Sequence, residues 1–256
     1  EAAFERALEL NPDLISALSD ISTYYTDSGR TNDAYDLAQR AIEINPNKAM
    51  GHFARGYVLR YTGMMEESEW EMRIAMDLDS TNVRFRSAGL TLMANEQFED
   101  ARKAFAIDKP STYYAWTTAL SYLRQGKSED AARILESADG LDQDGLPSAR
   151  VRALRAYLSG EFEKGLLVTR TVEAAELLDG ETNYFNAILF CVNGGSDGCL
   201  RNLDRAVENG YFNYPNFKSD PLLDLVRGTP EFERVLEMSR QKHERFKAKY
   251  FLEQGR

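Results

Sequence analysis

Residues 15 to 48 read ISALSDISTYYTDSGRTNDAYDLAQRAIEINPNK, and this stretch decides the fold because its pattern returns along most of the chain. It predicts a helix, a tight turn at Gly29 and a second helix that ends before Pro46. The small residues Ala34 and Ala41 stand where two helices have to approach closely. One such pair cannot bury its own apolar face, so several copies have to stack.

Variations of this pattern predict about six helix pairs up to Asn209. The segment 1–14 matches only the second helix of a pair, so we expect further sequence before Glu1. The third copy, residues 82–110, is irregular because Pro110 arrives early and a proline cannot continue a helix. We therefore expect its second helix to be short.

The repeat pattern stops after residue 209, which predicts a repeat domain over 1–209 and a linker with capping helices over 210–256. In this second region we expect an extended aromatic link followed by a short helix that begins at Pro221. Thr229 and the proline after it predict the start of a final helix that continues to about Glu253.

The spacing of small and large residues resembles that of tetratricopeptide repeat (TPR) proteins over nearly all of residues 1–209. The resemblance implies an all-α, right-handed superhelix of antiparallel helix pairs with a helical C-terminal cap. The segment AVENGYFNYPNFKSDPLLDLVRGTPEFERVL is similar to the end of TPR regions fused to bacterial adenylate cyclase, winged-helix regulator or kinase domains. In such proteins the repeats are non-catalytic.

Composition narrows the classes of partner. The chain has 43% hydrophobic and 28% charged residues, which is ordinary for a folded protein, and no apolar run long enough to span a membrane. A net charge of −10 argues against general nucleic-acid binding, which requires clustered cations. We expect a protein or peptide partner, including acidic segments, with no direct membrane contact.

Catalytic and metal-binding motifs are missing from the sequence. His52 and His243 are the two histidines, and we expect both to be surface residues without a chemical role. The stretch LDQDGL at 141–146 has some features of a calcium loop but lacks the bidentate Glu and the full spacing of ligands. We therefore predict neither catalysis, nor a metal, nor a cofactor.

The TPR resemblance places certain first-helix residues on the concave face of the superhelix, where partners bind. Many of these are aromatic or Arg, the types that contribute most binding energy in interfaces. The expected groove residues are Phe53, Tyr57, Arg60, Arg86, Leu90, Tyr113, Trp116, Leu120, Arg124, Arg150, Tyr157 and Tyr184. If they form a groove, Trp116 and its neighbours should be partly exposed. The alternative is that tight curvature makes them ordinary core.

Cys191 and Cys199 flank a glycine-rich turn, and the sequence leaves two states open for them. A disulfide is sterically feasible across such a helix pair, and two buried thiols are the alternative. A bridge would indicate an oxidising compartment, whereas thiols fit either side of a membrane. The default expectation is the cytoplasm, or the periplasm if a membrane segment precedes Glu1.

Two functions follow from these patterns. The first is a non-catalytic protein-interaction scaffold that binds a partner peptide or helix in its concave groove. The second is a regulatory or sensor region of a larger bacterial signalling protein, a cyclase, kinase or transcription regulator, that acts within its own chain.

Overall fold

The computed structural model describes residues 2–141 and 144–252, and these ranges contain fifteen α-helices and no β-strand. The helices are α1 (Ala2–Leu10), α2 (Ile15–Asp27), α3 (Thr31–Ile44), α4 (Ala49–Thr62), α5 (Met65–Leu78), α6 (Ala88–Ala94), α7 (Phe98–Phe105), α8 (Thr112–Leu123), α9 (Ser128–Glu136), α10 (Gly145–Leu158), α11 (Phe162–Glu173), α12 (Gly180–Val192), α13 (Ser196–Glu208), α14 (Tyr214–Ser219) and α15 (Pro230–Lys247). Short 3-10 turns occupy Val83–Ser87, Ala106–Asp108 and Pro221–Leu223, and a π turn occupies Ala248–Leu252.

The helices from α2 to α13 pack as consecutive antiparallel pairs, and each pair packs on the next. The predicted all-α stack of helix pairs is therefore confirmed. No helix of the described ranges combines the length and the apolar character that crossing a bilayer requires.

Small residues lie at the helix crossings, as the repeat pattern predicts. Ala34 and Ala119 are both fully buried, and the Ser22 hydroxyl donates to the Ala34 carbonyl at 2.7 Å. At Gly89 an added Cβ would lie only 2.4 Å from the ring of Phe105. Because a larger side chain at these positions would separate the two helices of a pair, they fix the register of the repeat.

The third helix pair is irregular, as its proline predicts. Helix α7 has only eight residues and ends in the 3-10 turn Ala106–Asp108 before Pro110. The first helix of this pair also begins late, because Val83–Ser87 forms a 3-10 turn ahead of α6.

The C-terminal region differs from the expected extended link. Residues 214–219 form helix α14, which the Asn213 side chain caps by accepting from the Asn216 N–H at 3.2 Å. The predicted cap of α15 is confirmed, since the Thr229 hydroxyl oxygen accepts from the Phe232 N–H at 3.3 Å. Helix α15 itself ends at Lys247 and a π turn follows to Leu252, while Glu253 lies outside the described residues.

The segment after α13 does more than cover the last repeat, because it also docks on the first repeats. The Phe212 N–H donates to the Tyr61 carbonyl at 2.9 Å, and the Asn213 amide donates to the Arg60 carbonyl at 2.8 Å. His243 Nδ1 donates to the Thr62 carbonyl at 2.8 Å. Helix α15 therefore packs on both α13 and α4, and the closing segment, residues 211–250, connects the two ends of the stack.

Candidate functional site

The twelve expected groove residues are less exposed than an open groove would leave them. Those that are buried are Phe53, Arg60, Leu90, Trp116, Leu120, Arg150 and Tyr184. Those that are partly exposed are Tyr57, Arg86, Tyr113, Arg124 and Tyr157. The expectation that Trp116 is partly exposed is wrong, since only 2% of its surface is accessible. Helix α12 and the closing segment pack over these side chains, which a repeat register alone does not reveal.

Arg60 is buried by its contact with α12. Its Nε lies 2.8 Å from Glu181 Oε1 and its Nη2 lies 3.0 Å from Glu181 Oε2, while Nη1 donates to the Ser87 carbonyl at 3.0 Å. Burial raises the pKa of Glu181 above its ordinary value, although the charge of Arg60 opposes that shift. Such a two-point pair is directional, so it fixes α12 against α4.

Arg124 meets the closing segment in the same way. Its Nη2 lies 2.6 Å from Asp220 Oδ2, and the Tyr184 hydroxyl also donates to that carboxylate. The Asp220 carboxylate also receives the Leu222 N–H at 3.0 Å and so caps the turn that follows. The chain's own carboxylate therefore occupies the place that an acidic partner would take beside Arg124.

Two carboxylates and two tyrosines form a network at one end of the surface that the first helices of the pairs make together, which we call the inner face. The Tyr57 hydroxyl donates to Asp27 at 2.8 Å, and the Tyr61 hydroxyl donates to Asp179 at 2.8 Å and lies 3.1 Å from Asp27. Burial, together with the nearby charge of Asp179, raises the pKa of Asp27 to about 7. Asp27 is therefore a group that changes charge near neutral pH.

Four of the expected groove residues form one continuous stack, which we call the inner-face cluster: Arg86, Tyr113, Trp116 and Arg150. The Arg86 guanidinium lies 4.4 Å from the Tyr113 ring centroid, and Tyr113 meets Trp116 edge to face at 5.7 Å. The Arg150 guanidinium lies 4.5 Å from the Trp116 ring. Sequence analysis predicted these residues for one surface, and the structure brings them together.

The inner-face cluster contains hydrogen-bond donors that have no acceptor. Among the described residues no partner exists for the buried Tyr113 hydroxyl, the Trp116 indole N–H or the Arg150 Nε–H. The Arg150 Nη2 donates to the Thr182 hydroxyl at 3.4 Å, and burial lowers the pKa of Arg150 to about 10 against the opposing charges of Asp179 and Glu181. Buried donors are normally satisfied, so this set is unusual. All three atoms are closed off from solvent, so an acceptor outside the chain reaches them only if the side chains that cover them move.

The remaining groove residues belong to other contacts. Phe53 stacks on Phe85 at 5.0 Å in the core of the first repeats. Leu90 and Leu120 are core side chains, and Tyr157 lies 6.4 Å from Phe162 within its own helix pair. The structure does not bring these four into contact with the inner-face cluster through a bond or ring contact.

The expectation that both histidines are exposed is wrong. His52 is buried between Glu71, at 2.6 Å, and the Pro46 carbonyl, at 2.7 Å. His243 is buried against the Thr62 carbonyl. No group of three or more His, Cys, Asp or Glu within residues 2–141 and 144–252 has the geometry of a metal site. Residues 142 and 143 of the LDQDGL stretch lie outside the described residues.

Cys191 and Cys199 are joined in the structure. Their sulfur atoms are 2.12 Å apart and their Cα atoms 5.3 Å apart, across the turn between α12 and α13. The sequence left open a disulfide or two thiols, and the structure contains the disulfide.

Sequence reasoning missed the acidic partners of the inner face, namely Asp27, Asp179, Glu181 and Asp220. A partial signal existed for Asp179, because an Asp just before a helix is a common cap, and it accepts from the Glu181 and Thr182 N–H groups. Its contact with Tyr61 joins residues 118 positions apart, and no local pattern encodes that.

No known family profile matches this sequence. The structure is similar to that of PilF from Pseudomonas aeruginosa, with a TM-score of 0.52 and 18% identity over 87% of this chain and 96% of that chain. It is also similar to PilW, described as a widely conserved type IV pilus biogenesis factor, with a TM-score of 0.51 and 13% identity over 87% of this chain and 98% of that chain. The chain thus has the fold of TPR-like helical repeat proteins.

Proposed function

We propose that this chain is a non-catalytic protein-interaction scaffold, and that an oxygen-rich portion of a partner peptide binds at the partly exposed side of the inner-face cluster and reaches the buried donors by moving the side chains that cover them. The observation that supports it most directly is the set of unpartnered donors on Tyr113, Trp116 and Arg150. A helical-repeat fold is built from short local contacts and commonly presents such a surface to an extended partner.

The chemistry of the cluster favours peptide oxygens over apolar side chains. A carboxylate has two oxygens and can accept from all three donors, whereas a single backbone carbonyl can accept from two of them. Arg86 and Tyr113 remain partly exposed, so they form the side of the cluster that a partner reaches first. Buried aromatic and Arg side chains are also the types that dominate measured binding energies.

A displayed random-peptide library, selected on the intact chain, tests this proposal. Selected peptides should bind the Tyr113→Phe and Arg150→Gln variants at least about tenfold more weakly, because each change removes a donor to the ligand. Tyr57→Phe is the matched control, since its hydroxyl is already satisfied by Asp27 at 2.8 Å.

The binding measurement requires that each variant is folded. Thermal unfolding of each variant checks this. Peptides that bind the Tyr113→Phe and Arg150→Gln chains as tightly as the parent chain would overturn the assignment of the site. If the selection on the intact chain yields no binding peptide, this result would count against the scaffold function as a whole.

A second candidate is regulation within a longer polypeptide, and the closing segment favours it. Asp220 of this segment already occupies the position beside Arg124 that a partner would otherwise take. In this alternative, the repeats and the closing segment respond to another domain of the same chain. A cyclase, kinase or winged-helix domain encoded ahead of Glu1 supports it, and a stand-alone gene contradicts it.

A further inference from the structure

A basic pocket lies where the closing segment meets the first repeat. Its volume is about 320 Å³, and three cations line it: Lys242 and Arg245 of α15 and Lys249 of the π turn that follows. Buried rings of Phe212 and Phe246 form its apolar wall. The pocket exists only because the closing segment docks on α3, so no single repeat contains it.

No acidic side chain in the described part of the chain neutralises the three cations of the pocket. Among the described residues, none of them forms an ion pair within 4 Å, whereas Arg234 and Arg240 of the same helix pair with Asp204 and Glu237. This concentration of free positive charge occurs in a chain whose net charge is −10. An acidic ligand is therefore attracted to this place and repelled by much of the remaining surface.

Lys242 supplies a second reason to expect an anion. Its ammonium group donates to the Val207 carbonyl at 2.7 Å and is half-buried. Burial lowers its pKa, with Arg245 acting in the same direction and Glu208 opposing both. A bound carboxylate would offset this loss of hydration, because an opposite charge at close range favours the protonated ammonium.

The spacing of the cations indicates the form of the ligand. Lys242 and Lys249 are seven positions apart, which corresponds to about 10 Å along a helix. Two alternate side chains of an extended peptide lie about 7 Å apart and three span about 14 Å, so the distance between the two lysines falls between these values.

We propose that this junction pocket binds an acidic segment of a partner protein in extended form, with Asp or Glu at alternate positions. The proposal goes beyond the inner-face function, because the pocket shares no residue with that cluster. The two are therefore separable by mutation.

The probe is a fluorescein-labelled peptide of alternating Glu and Ala residues, measured by fluorescence anisotropy with the intact chain. We expect binding that weakens as salt is raised, and no comparable binding of the same peptide with Gln in place of Glu. The double variant R245Q/K249Q should lose about fivefold or more in affinity, since two exposed charge contacts are removed. Both side chains are exposed, so their replacement leaves the packing intact.

Two controls separate this result from general charge effects. Arg240→Gln removes one charge from the same helix outside the pocket, and Lys127→Gln removes one exposed charge from the turn between α8 and α9, outside both the pocket and the inner-face cluster. Both variants should bind the Glu peptide within about twofold of the parent chain.

Three results would overturn the proposal. They are equal binding of the Glu and Gln peptides, an equal loss for Arg240→Gln and the double variant, and displacement of the peptide by pyrophosphate at a similar affinity. The last would instead assign the pocket to a small anion.

Discussion

Arg60 and Glu181 are 121 positions apart in the sequence, yet their side chains meet through two contacts of 2.8 and 3.0 Å on the inner face. Arg60 is 1% and Glu181 is 6% exposed, so water does not screen the pair. The pair ties the second repeat to the sixth, which means that the inner face is partly closed by the chain itself. A partner has to use what remains accessible there or displace part of this closure.

Removing one charge of this pair should destabilise the fold strongly. Glu181→Gln leaves the Arg60 guanidinium buried without a counter-charge, so we expect the free energy of unfolding to fall by about 3 to 5 kcal/mol. Combining Arg60→Met with Glu181→Leu should recover much of that loss. Urea denaturation measures both, with Arg133→Gln in an exposed pair as the control, expected to cost under about 1 kcal/mol. A double variant as unstable as the single one would contradict this interpretation.

The stability of the chain should depend on the charge of Asp27. Its pKa in the folded state is raised to about 7 from an ordinary value of 3.8, so folding takes up a proton between these values. The stabilisation that the protonated Asp27 carboxyl contributes is fully present below the pKa of this group in the unfolded chain. It is lost as the pH rises from about 4 towards 7.

Asp27→Asn should therefore be more stable than the parent chain at pH 8, by about 1 kcal/mol or more, and should lose that advantage at pH 4. The expected gain in the free energy of unfolding is well below the energy that corresponds to the full pKa shift, because Asp27 is partly exposed and solvent screens its charge. Thermal unfolding at both pH values measures the difference. A constant difference across this range would show that Asp27 does not titrate with folding.

The unpartnered hydroxyl of Tyr113 should contribute nothing to stability. Because it has no acceptor, Tyr113→Phe is expected to be neutral or slightly stabilising, whereas Tyr57→Phe removes a satisfied bond to Asp27 and should cost about 1 to 2 kcal/mol. The two variants delete the same atom from the same residue type. Chemical denaturation that gave equal losses for both would mean that the Tyr113 hydroxyl has a partner in solution.

Docking of the closing segment should be sensitive to one glycine. Gly63 has a φ of +81°, and an added Cβ would lie 2.9 Å from His243 Nδ1 and 3.0 Å from the Pro215 ring. Gly126 has a φ of +70° with open space around it, so Gly126→Ala tests the backbone strain alone, at about 1 kcal/mol.

Gly63→Ala should cost at least about 1 kcal/mol more than Gly126→Ala, because it adds overpacking to the same strain. Faster hydrogen exchange in α15 of the Gly63→Ala chain would locate the effect at the docked segment. Equal costs for the two variants would contradict the docking of α15 on α4.

The sequence by itself determined the all-α fold, the helix pairs and their register. Small residues such as Ala34 and Gly89 recur at a fixed spacing that can be recognised in the sequence, because residues a few turns apart on one helix face the same neighbour. The short α7 and the Thr229 cap followed from equally local chemistry. The repeat spacing also predicted Arg86, Tyr113, Trp116 and Arg150 for one face, and in the structure these four side chains contact one another.

Only the tertiary structure decided whether that face is open. The contacts that close it, Arg60 with Glu181 and Arg124 with Asp220, join residues about a hundred positions apart, and no periodicity records such pairs. The burial of His243 has the same origin, because His243 contacts Thr62 only when the two ends of the stack come together. Such contacts depend on the curvature of the whole stack, which in repeat proteins is set by the rotation at every junction between repeats and not by any local pattern.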